Sequence, residues 1–155
     1  MSAVSQASAI SLRELPGERI IDMMIELAGP FRLQRSIVAG ARSCELVTQL
    51  HRRGHTRVET TASCRLPRGQ CRLALLDGRL SSVKAIETTL CWLAHFLAQG
   101  SALVIGVDCS ERVSSRRLAA MLERLGFEIE VETRCDSGAA FLARRRDAGA
   151  MDIAA

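Results

Sequence analysis

Two short apolar runs on either side of a helical pattern constrain the fold of this chain most strongly. The runs are Leu73–Leu76 and Ala102–Val107, and each is followed at once by an aspartate, Asp77 or Asp108. Short runs that are apolar at nearly every position are typical of strands covered on both faces, which occur mainly in parallel sheets. The two runs are therefore predicted to be parallel strands whose aspartate-bearing ends lie at the same edge.

The segment between these runs predicts the helix that connects them. Ser81 or Ser82 is placed to cap its beginning, and Gly100 follows its predicted end. Its apolar residues recur at intervals of three and four, which is the spacing of one buried helix face. They are Val83, Ile86, Leu90, Leu93 and Leu97.

The first half of the chain shows a second unit of the same kind after an N-terminal helix. An apolar stripe over Ile20–Ala28 predicts that helix, and Gly29-Pro30 ends it. Ser36–Gly40 then predicts a strand, Cys44–Arg53 a helix and Thr56–Thr61 a further strand. The alternation of strands and helices indicates an α/β fold.

The last part of the chain predicts one more helix and a hairpin. Ser110 is placed to cap the helix, and Gly126 ends it. The hairpin strands are Phe127–Thr133 and Ala139–Ala143. The sequence therefore predicts an open, mostly parallel six-strand α/β sheet with helices on both faces and a C-terminal antiparallel hairpin. The domain is predicted to span residues 16–147, with flexible ends at 1–15 and 148–155.

Composition excludes several classes of protein. No apolar run reaches the roughly 18–20 residues of a membrane-spanning helix, and the N-terminus lacks the pattern of a signal peptide, so a cytoplasmic location is expected. The 6 cysteines and 3 histidines lack the spacing of a zinc site, so no metal is predicted. Aromatic residues are only 3% of the chain, which disfavours binding of single-stranded nucleic acid.

The segment His51–His55 is the most cationic motif in the first half of the chain. It reads His-Arg-Arg-Gly-His and invites a phosphate-binding interpretation. Its position at the predicted C-terminus of a helix explains the cations without a ligand, because the helix dipole favours positive charge there. The sequence therefore predicts no nucleic-acid partner.

The candidate ligand site lies at the carboxyl ends of the predicted strands, where open α/β sheets bind ligands if the strand order reverses. The turn Gly40–Ser43, together with Glu59, Asp77-Gly78 and Asp108, maps to this edge. A turn of small residues lets a ligand approach the backbone and the positive end of a helix. Glu59 stands 19 residues after Gly40, and a carboxylate about 20 residues after such a turn can bind ribose hydroxyls.

Each of these residues also has a plain structural interpretation, and the sequence leaves the choice open. Gly40 is equally suited to a strand-to-helix turn. Glu59 fits a solvated strand position or an ion pair with Arg57 or Arg65. Asp77-Gly78 is a frequent turn dipeptide. No catalytic residue is identified by spacing.

Three segments resemble the class I S-adenosylmethionine-dependent methyltransferases. FLAQGSALVIGVD is similar to their L-x-P-G-G-x-L-V-I segment, and LPRGQCRLALLDGRL to their fourth-strand region. RLAAMLERLGFEIEVETRC resembles the segment before their closing hairpin. Together the segments cover roughly residues 64–143.

The resemblance implies S-adenosylmethionine as the cofactor and assigns residues to its binding. Gly40, Ala41 and Ser43 stand in the cofactor loop, Glu59 at the ribose and Ser63 near the adenine. Asp77 follows the strand that carries catalytic or substrate-contacting residues in the family.

Two departures mark the chain as a degenerate and shortened relative of that family. The loop AGARS keeps one glycine where the family has two or three. Only about ten residues separate Thr60 from Cys71, too few for the helices and the strand that the family has there. One βα unit is therefore predicted to be missing.

Two functions follow from this interpretation. The first is a small methyltransferase acting on an unknown acceptor. The alternative is a non-catalytic remnant of the fold that senses a ligand or associates with a partner, with a homodimer expected. The N-terminal helix Ile20–Ala28 is the predicted contact surface, since a shortened sheet leaves part of its apolar stripe unmatched.

Overall fold

The structure is a computed structural model that describes residues 16–40, 42–60, 68–108 and 115–146. The helices are α1 (Pro16–Ala28), α2 (Ser43–Arg52), α3 (Val83–Ala94) and α4 (Ser115–Arg124), with a 3-10 turn at Gly29–Phe31. The strands are β1 (Ser36–Gly40), β2 (Val58–Thr60), β3 (Cys71–Asp77), β4 (Leu97–Asp108), β5 (Phe127–Cys135) and β6 (Gly138–Arg145). The predicted flexible ends at 1–15 and 148–155, and the predicted cap at Ser110, lie outside the described residues.

The six strands form one sheet in the order β2-β1-β3-β4-β6-β5. The first four in that order are parallel, whereas β6 runs antiparallel to both β4 and β5. The predicted mixed α/β sheet with its C-terminal antiparallel hairpin is confirmed. The chain moves from β1 outward to β2 and returns to β3 on the other side of β1, so the strand order reverses between β1 and β3.

Two apolar layers cover the sheet, one on each face. Side chains of α3 and α4, including Ile86, Leu90 and Leu118, pack on one face. Side chains of α1 and α2, including Met24 and Leu46, pack on the other. Because both faces are covered, β3 and β4 are apolar at nearly every position, which is the pattern that predicted them.

The predicted contact surface on the N-terminal helix is wrong, because the apolar stripe of α1 is buried within the domain. Ile20, Ile21, Met24, Ile25 and Ala28 are at most 3% exposed. The helix packs on β4 and β6. Glycines on those strands permit the close approach: a Cβ on Gly106 would lie 2.8 Å from Ile20 Cγ2, and one on Gly138 would lie 2.7 Å from Ile20 Cδ1.

The predicted end of the central helix is also wrong. α3 ends at Ala94, and Leu97, expected on its buried face, is the first residue of β4. Leu97 is 2% exposed, so its apolar side chain joins the same core from the strand. Gly100, expected as the helix stop, lies inside β4 with a φ of +72°. The pairing of β3 with β4 shifts register in this region, which accommodates the left-handed glycine.

None of the helices in the described part of the chain is long and apolar enough to cross a membrane.

Replacing Gly138 by alanine is expected to destabilise the fold. The new Cβ would overlap the backbone oxygen of Val107 and lie 2.9 Å from the Cα of Asp108, and backbone cannot move aside as a flexible side chain can. We expect Gly138→Ala to lower the free energy of unfolding by about 3 kcal/mol, measured by urea denaturation. Gly29→Ala is the matched control, since a Cβ there meets no atom within 4 Å. An equal loss in both variants would contradict the packing argument.

Candidate functional site

Gly40 and Asp77 lie side by side where the strand order reverses. They are the last residues of β1 and β3 and are paired in register. Gly40 has a φ of +119°, and a Cβ on it would overlap the backbone oxygen of Asp77 and lie 3.0 Å from the Asp77 Cβ. Glycine is therefore required here both by conformation and by the closeness of the neighbouring strand.

Asp77 is held by Arg79 in a buried ion pair. Arg79 Nε donates to Asp77 Oδ1 at 2.9 Å, and Arg79 Nη2 donates to Asp77 Oδ2 at 2.8 Å. The Arg79 backbone N–H also donates to Asp77 Oδ1, at 3.1 Å. Asp77 is 1% exposed and Arg79 8% exposed, so this bidentate pair is largely shielded from water. Both oxygens of the predicted site carboxylate thus accept hydrogen bonds from within the same loop.

Arg79 extends this pair toward the start of α2. Its Nη2 atom lies 3.8 Å from Glu45 Oε2, and Arg42 Nη1 lies 4.0 Å from the same oxygen. The hydrogen bonds that Arg79 donates to Asp77 raise the pKa of Arg79 above its usual value. Burial opposes this effect, and the charges of Asp77, Glu45 and Asp108 add to it. Arg79 is therefore a fixed cation at the cleft edge. The sequence interpretation missed it, although the Asp-Gly-Arg turn was the available signal.

The loop after β3 is fastened to the end of β4. Gly78 N–H donates to the carbonyl oxygen of Gly106 at 2.7 Å, and Leu80 N–H donates to Asp108 Oδ2 at 3.0 Å. Leu80 has a φ of +62° and is 72% exposed. A bulky residue in this conformation is strained and persists only where its surroundings hold it. The predicted placement of Asp77 and Asp108 at one edge of the sheet is confirmed.

A cleft opens between the ends of β1 and β3 and the first turns of α3. Its volume is about 520 Å³, within the range of about 300–1,000 Å³ that small-molecule pockets occupy. Strand residues Ala39, Gly40 and Leu76 form one wall, and Ala85 and Trp92 on α3 belong to the other. The cleft is largely apolar, with hydroxyl groups along the helix. These belong to Ser81, Thr88 and Thr89.

Glu59 lies on the same face of the sheet as this cleft. It is paired in register with Ile37, which belongs to the same apolar layer as Ala39, and paired residues of parallel strands point to the same face. Among the described residues, its buried Oε2 atom has no hydrogen-bond partner and no ion pair joins it to Arg57. An unpartnered buried carboxylate oxygen is costly, and a ligand hydroxyl would satisfy it.

Of the remaining predicted site residues, the structure describes only Ser43. Ser43 is the first residue of α2, three residues after Gly40, and is half-buried. Ala41 and Ser63 lie outside the described residues. Within the residues that the structure describes, no group of His, Cys, Asp and Glu is arranged to hold a metal ion.

Replacing Arg79 with an uncharged residue is expected to destabilise the protein strongly. Arg79→Met leaves the buried carboxylate of Asp77 without its cation, which should lower the free energy of unfolding by about 3–5 kcal/mol, measured by urea denaturation. Asp77→Asn combined with Arg79→Met should cost less than Arg79→Met alone, because no unpaired charge remains. Arg124→Gln, which breaks an exposed pair with Glu87, is the control and should cost about 1 kcal/mol at most. A double variant as unstable as the single one would contradict the buried-charge explanation.

Comparison with solved structures identifies the fold, whereas two other comparisons find no match. No protein-family model matches the chain, and no curated protein matches it. Among solved structures, it resembles the 1,6-didemethyltoxoflavin-N1-methyltransferase of Burkholderia thailandensis bound to S-adenosylhomocysteine, with a TM-score of 0.60, 17% identity and coverage of 94% of this chain and 85% of that one.

Two further structures show how widely this fold is shared. The magnesium protoporphyrin IX methyltransferase of Synechocystis PCC 6803 matches with a TM-score of 0.56 and 9% identity, over 83% of this chain and 79% of that one. The [4+2]-cyclase SpnF matches with a TM-score of 0.62 and 13% identity, over 83% of this chain and 80% of that one. At these identities the likeness shows the fold alone. The chain has the fold of the class I S-adenosylmethionine-dependent methyltransferases, in a shortened, six-strand form.

Proposed function

We propose that this chain binds S-adenosylmethionine at the carboxyl edge of β1–β3 and transfers its methyl group to a small acceptor. The observation that carries the proposal is Glu59, whose buried Oε2 atom has no hydrogen-bond partner in the part of the chain that the structure describes and which lies on the face of the sheet that holds the cleft of about 520 Å³. Structures of the same fold bind S-adenosylmethionine or S-adenosylhomocysteine. Both the acceptor and a cytoplasmic location stay predictions.

The residues at this edge fit such a cofactor in three respects. The backbone of Gly40, at the end of β1, lines the cleft. Glu59 supplies an acceptor for ribose hydroxyl groups. The start of α2, with Ser43 as its first residue, presents backbone N–H groups that suit an anionic ligand group.

The chemistry places few demands on acid–base groups of the protein. The cofactor, when bound, supplies an activated methyl group. The chain contributes binding and orientation, which alone can remove several kcal/mol from the barrier by holding reacting groups in line. The apolar wall formed by Leu76, Ile86 and Trp92 favours an acceptor with apolar surface. No residue is assigned as a base.

A non-catalytic role is the second candidate, and a specific observation favours it. Asp77, the acidic residue after β3, has both oxygens engaged by Arg79, so it is not free to act on an acceptor. The same fold in the [4+2]-cyclase SpnF shows that this architecture is not confined to methyl transfer. In this role the cleft senses a ligand. A homodimer stays a prediction, and because α1 is buried, any self-association needs another surface.

Cofactor binding can be tested by titrating S-adenosylmethionine and S-adenosylhomocysteine and recording calorimetric affinity and melting temperature. We expect binding with a micromolar Kd, weakened about tenfold or more in Glu59→Gln, because a hydrogen bond to a charged acceptor is worth about 1.5–3 kcal/mol. Glu128→Gln, at an exposed glutamate on β5, is the charge-matched control and should bind like the parent.

The outcomes separate the two candidates. Conversion of S-adenosylmethionine to S-adenosylhomocysteine, with a methylated acceptor appearing in a metabolite mixture, supports the transferase. Binding without turnover supports the sensor. Absence of binding at millimolar ligand contradicts the transferase and favours the non-catalytic role. A mass from light scattering that does not change with protein concentration would count against a homodimer in exchange with monomers.

A further inference from the structure

A second cleft lies at the opposite edge of the sheet from the cofactor site. It has a volume of about 370 Å³ and is formed by the C-terminal half of α1, the segment before β1 and the segment before β2. Because it lies at the amino ends of β1 and β2, the length of the strands separates it from Gly40 and Asp77. Its polar residues are Asp22, Glu26, Arg32, Arg53 and His55.

His55 is the most deeply buried member of this cleft. It is 2% exposed, and its Nδ1 atom has no hydrogen-bond partner among the described residues. Its backbone N–H donates to Leu50 O at 3.0 Å, which fixes its position after α2. A buried imidazole nitrogen without a partner is unusual in folded proteins and indicates a place for a ligand or a water molecule.

Two guanidinium groups line the same cleft. Arg53 Nη2 donates to Asp22 Oδ1 at 2.7 Å, which uses one of the five N–H donors of the side chain. The stem of Arg32 lies against Gly54, since a Cβ on Gly54 would fall 3.1 Å from Arg32 Cδ. Among the described residues Arg32 has no ion pair, so its guanidinium group is available to a ligand in the cleft.

We propose that this cleft binds a phosphate group, free or as a monoester, between Arg32, Arg53 and His55. Guanidinium forks match the geometry of phosphate oxygens. The proposal is independent of S-adenosylmethionine binding, because it uses other residues at the other edge of the sheet.

The carboxylates in the cleft favour phosphate over other dianions. Asp22 and Glu26 stand on α1 beside the cationic residues, and each repels an anion that carries no proton. A phosphate group retains a proton at mildly acidic pH and can donate it as a hydrogen bond to a carboxylate, whereas sulfate has none to donate. We expect phosphate to bind about tenfold more tightly than sulfate, which corresponds to one charge-assisted hydrogen bond.

The pKa of His55 supplies an independent measure of phosphate binding in this cleft. Burial lowers the pKa of His55 below its usual value, and the charges of Arg32 and His51 lower it further. The charged or titratable groups facing it are Asp22 and Glu26 on α1, Arg32 before β1, and His51 and Arg53 at the end of α2. A bound anion offsets the positive charge of Arg32 near the imidazole, so phosphate should raise the pKa of His55. By linkage, His55 then contributes tighter binding at lower pH.

The test is a titration of the full chain with inorganic phosphate near pH 6.5, followed by calorimetry and by the NMR signals of the three histidines. We expect saturable binding at one site and a raised pKa for His55. Arg32→Gln should weaken binding about tenfold or more. Arg52→Gln is the matched control, because it removes the same charge from an exposed residue that does not line the cleft.

Three outcomes would overturn the proposal: no saturation up to about 10 mM phosphate, equal weakening in Arg32→Gln and Arg52→Gln, or sulfate binding as tightly as phosphate. Arg32 is exposed, so its replacement leaves the fold intact, and unchanged melting of Arg32→Gln verifies this. Glycerol 3-phosphate distinguishes the two sources of the ligand: tighter binding than inorganic phosphate assigns the cleft to a monoester, and weaker binding assigns it to free phosphate.

Discussion

The close approach of β1 and β3 at Gly40 and Asp77 is the constraint on which the carboxyl edge of this molecule depends. The missing side chain at Gly40 lets the end of β3 lie against β1, and Asp77 then has to be buried. A buried carboxylate is costly unless it is paired and hydrogen-bonded, and Arg79 meets that need from the adjoining turn. The cleft, the loop after β3 and the start of α2 are all positioned around this pair.

Glycines also determine how closely α1 packs on the face of the sheet formed by β4 and β6. Gly106 and Gly138 lie on the neighbouring strands β4 and β6, where Gly106 pairs with Ala140 and Gly138 with Asp108, and both lie beneath Ile20 of α1. The helix can therefore pack closely on the sheet and bury most of its apolar stripe. This explains why a sheet of only six strands still covers an N-terminal helix that the sequence alone left partly unmatched.

The sequence predicted those features that depend on local pattern. Continuous apolar runs predicted β3 and β4, and the rule for strand ends placed Gly40, Asp77 and Asp108 at one edge. Prediction from the sequence failed where a residue fits both a helix and a strand pattern, or where the packing partner is distant along the chain. Leu97 has helical spacing yet reaches the same core from a strand, and the burial of α1 depends on glycines more than 75 residues away. His55 was attributed to a cationic helix end that needs no ligand, and the structure shows that it is buried.

The two edges of the sheet differ in how their charges are balanced, and this difference bears on function. Near the carboxyl edge the charges of Asp77 and Arg79 cancel each other. The acidic group without a hydrogen-bond partner among the described residues is Glu59, and a carboxylate suits a ligand rich in hydroxyl groups. At the amino edge Arg32 forms no ion pair among the described residues, and burial lowers the pKa of His55; we propose that this edge binds an anion. A fold shared by enzymes with different reactions does not determine either property. Both arise from single side chains placed on that fold, and these side chains rather than the fold distinguish this chain from the structures it resembles.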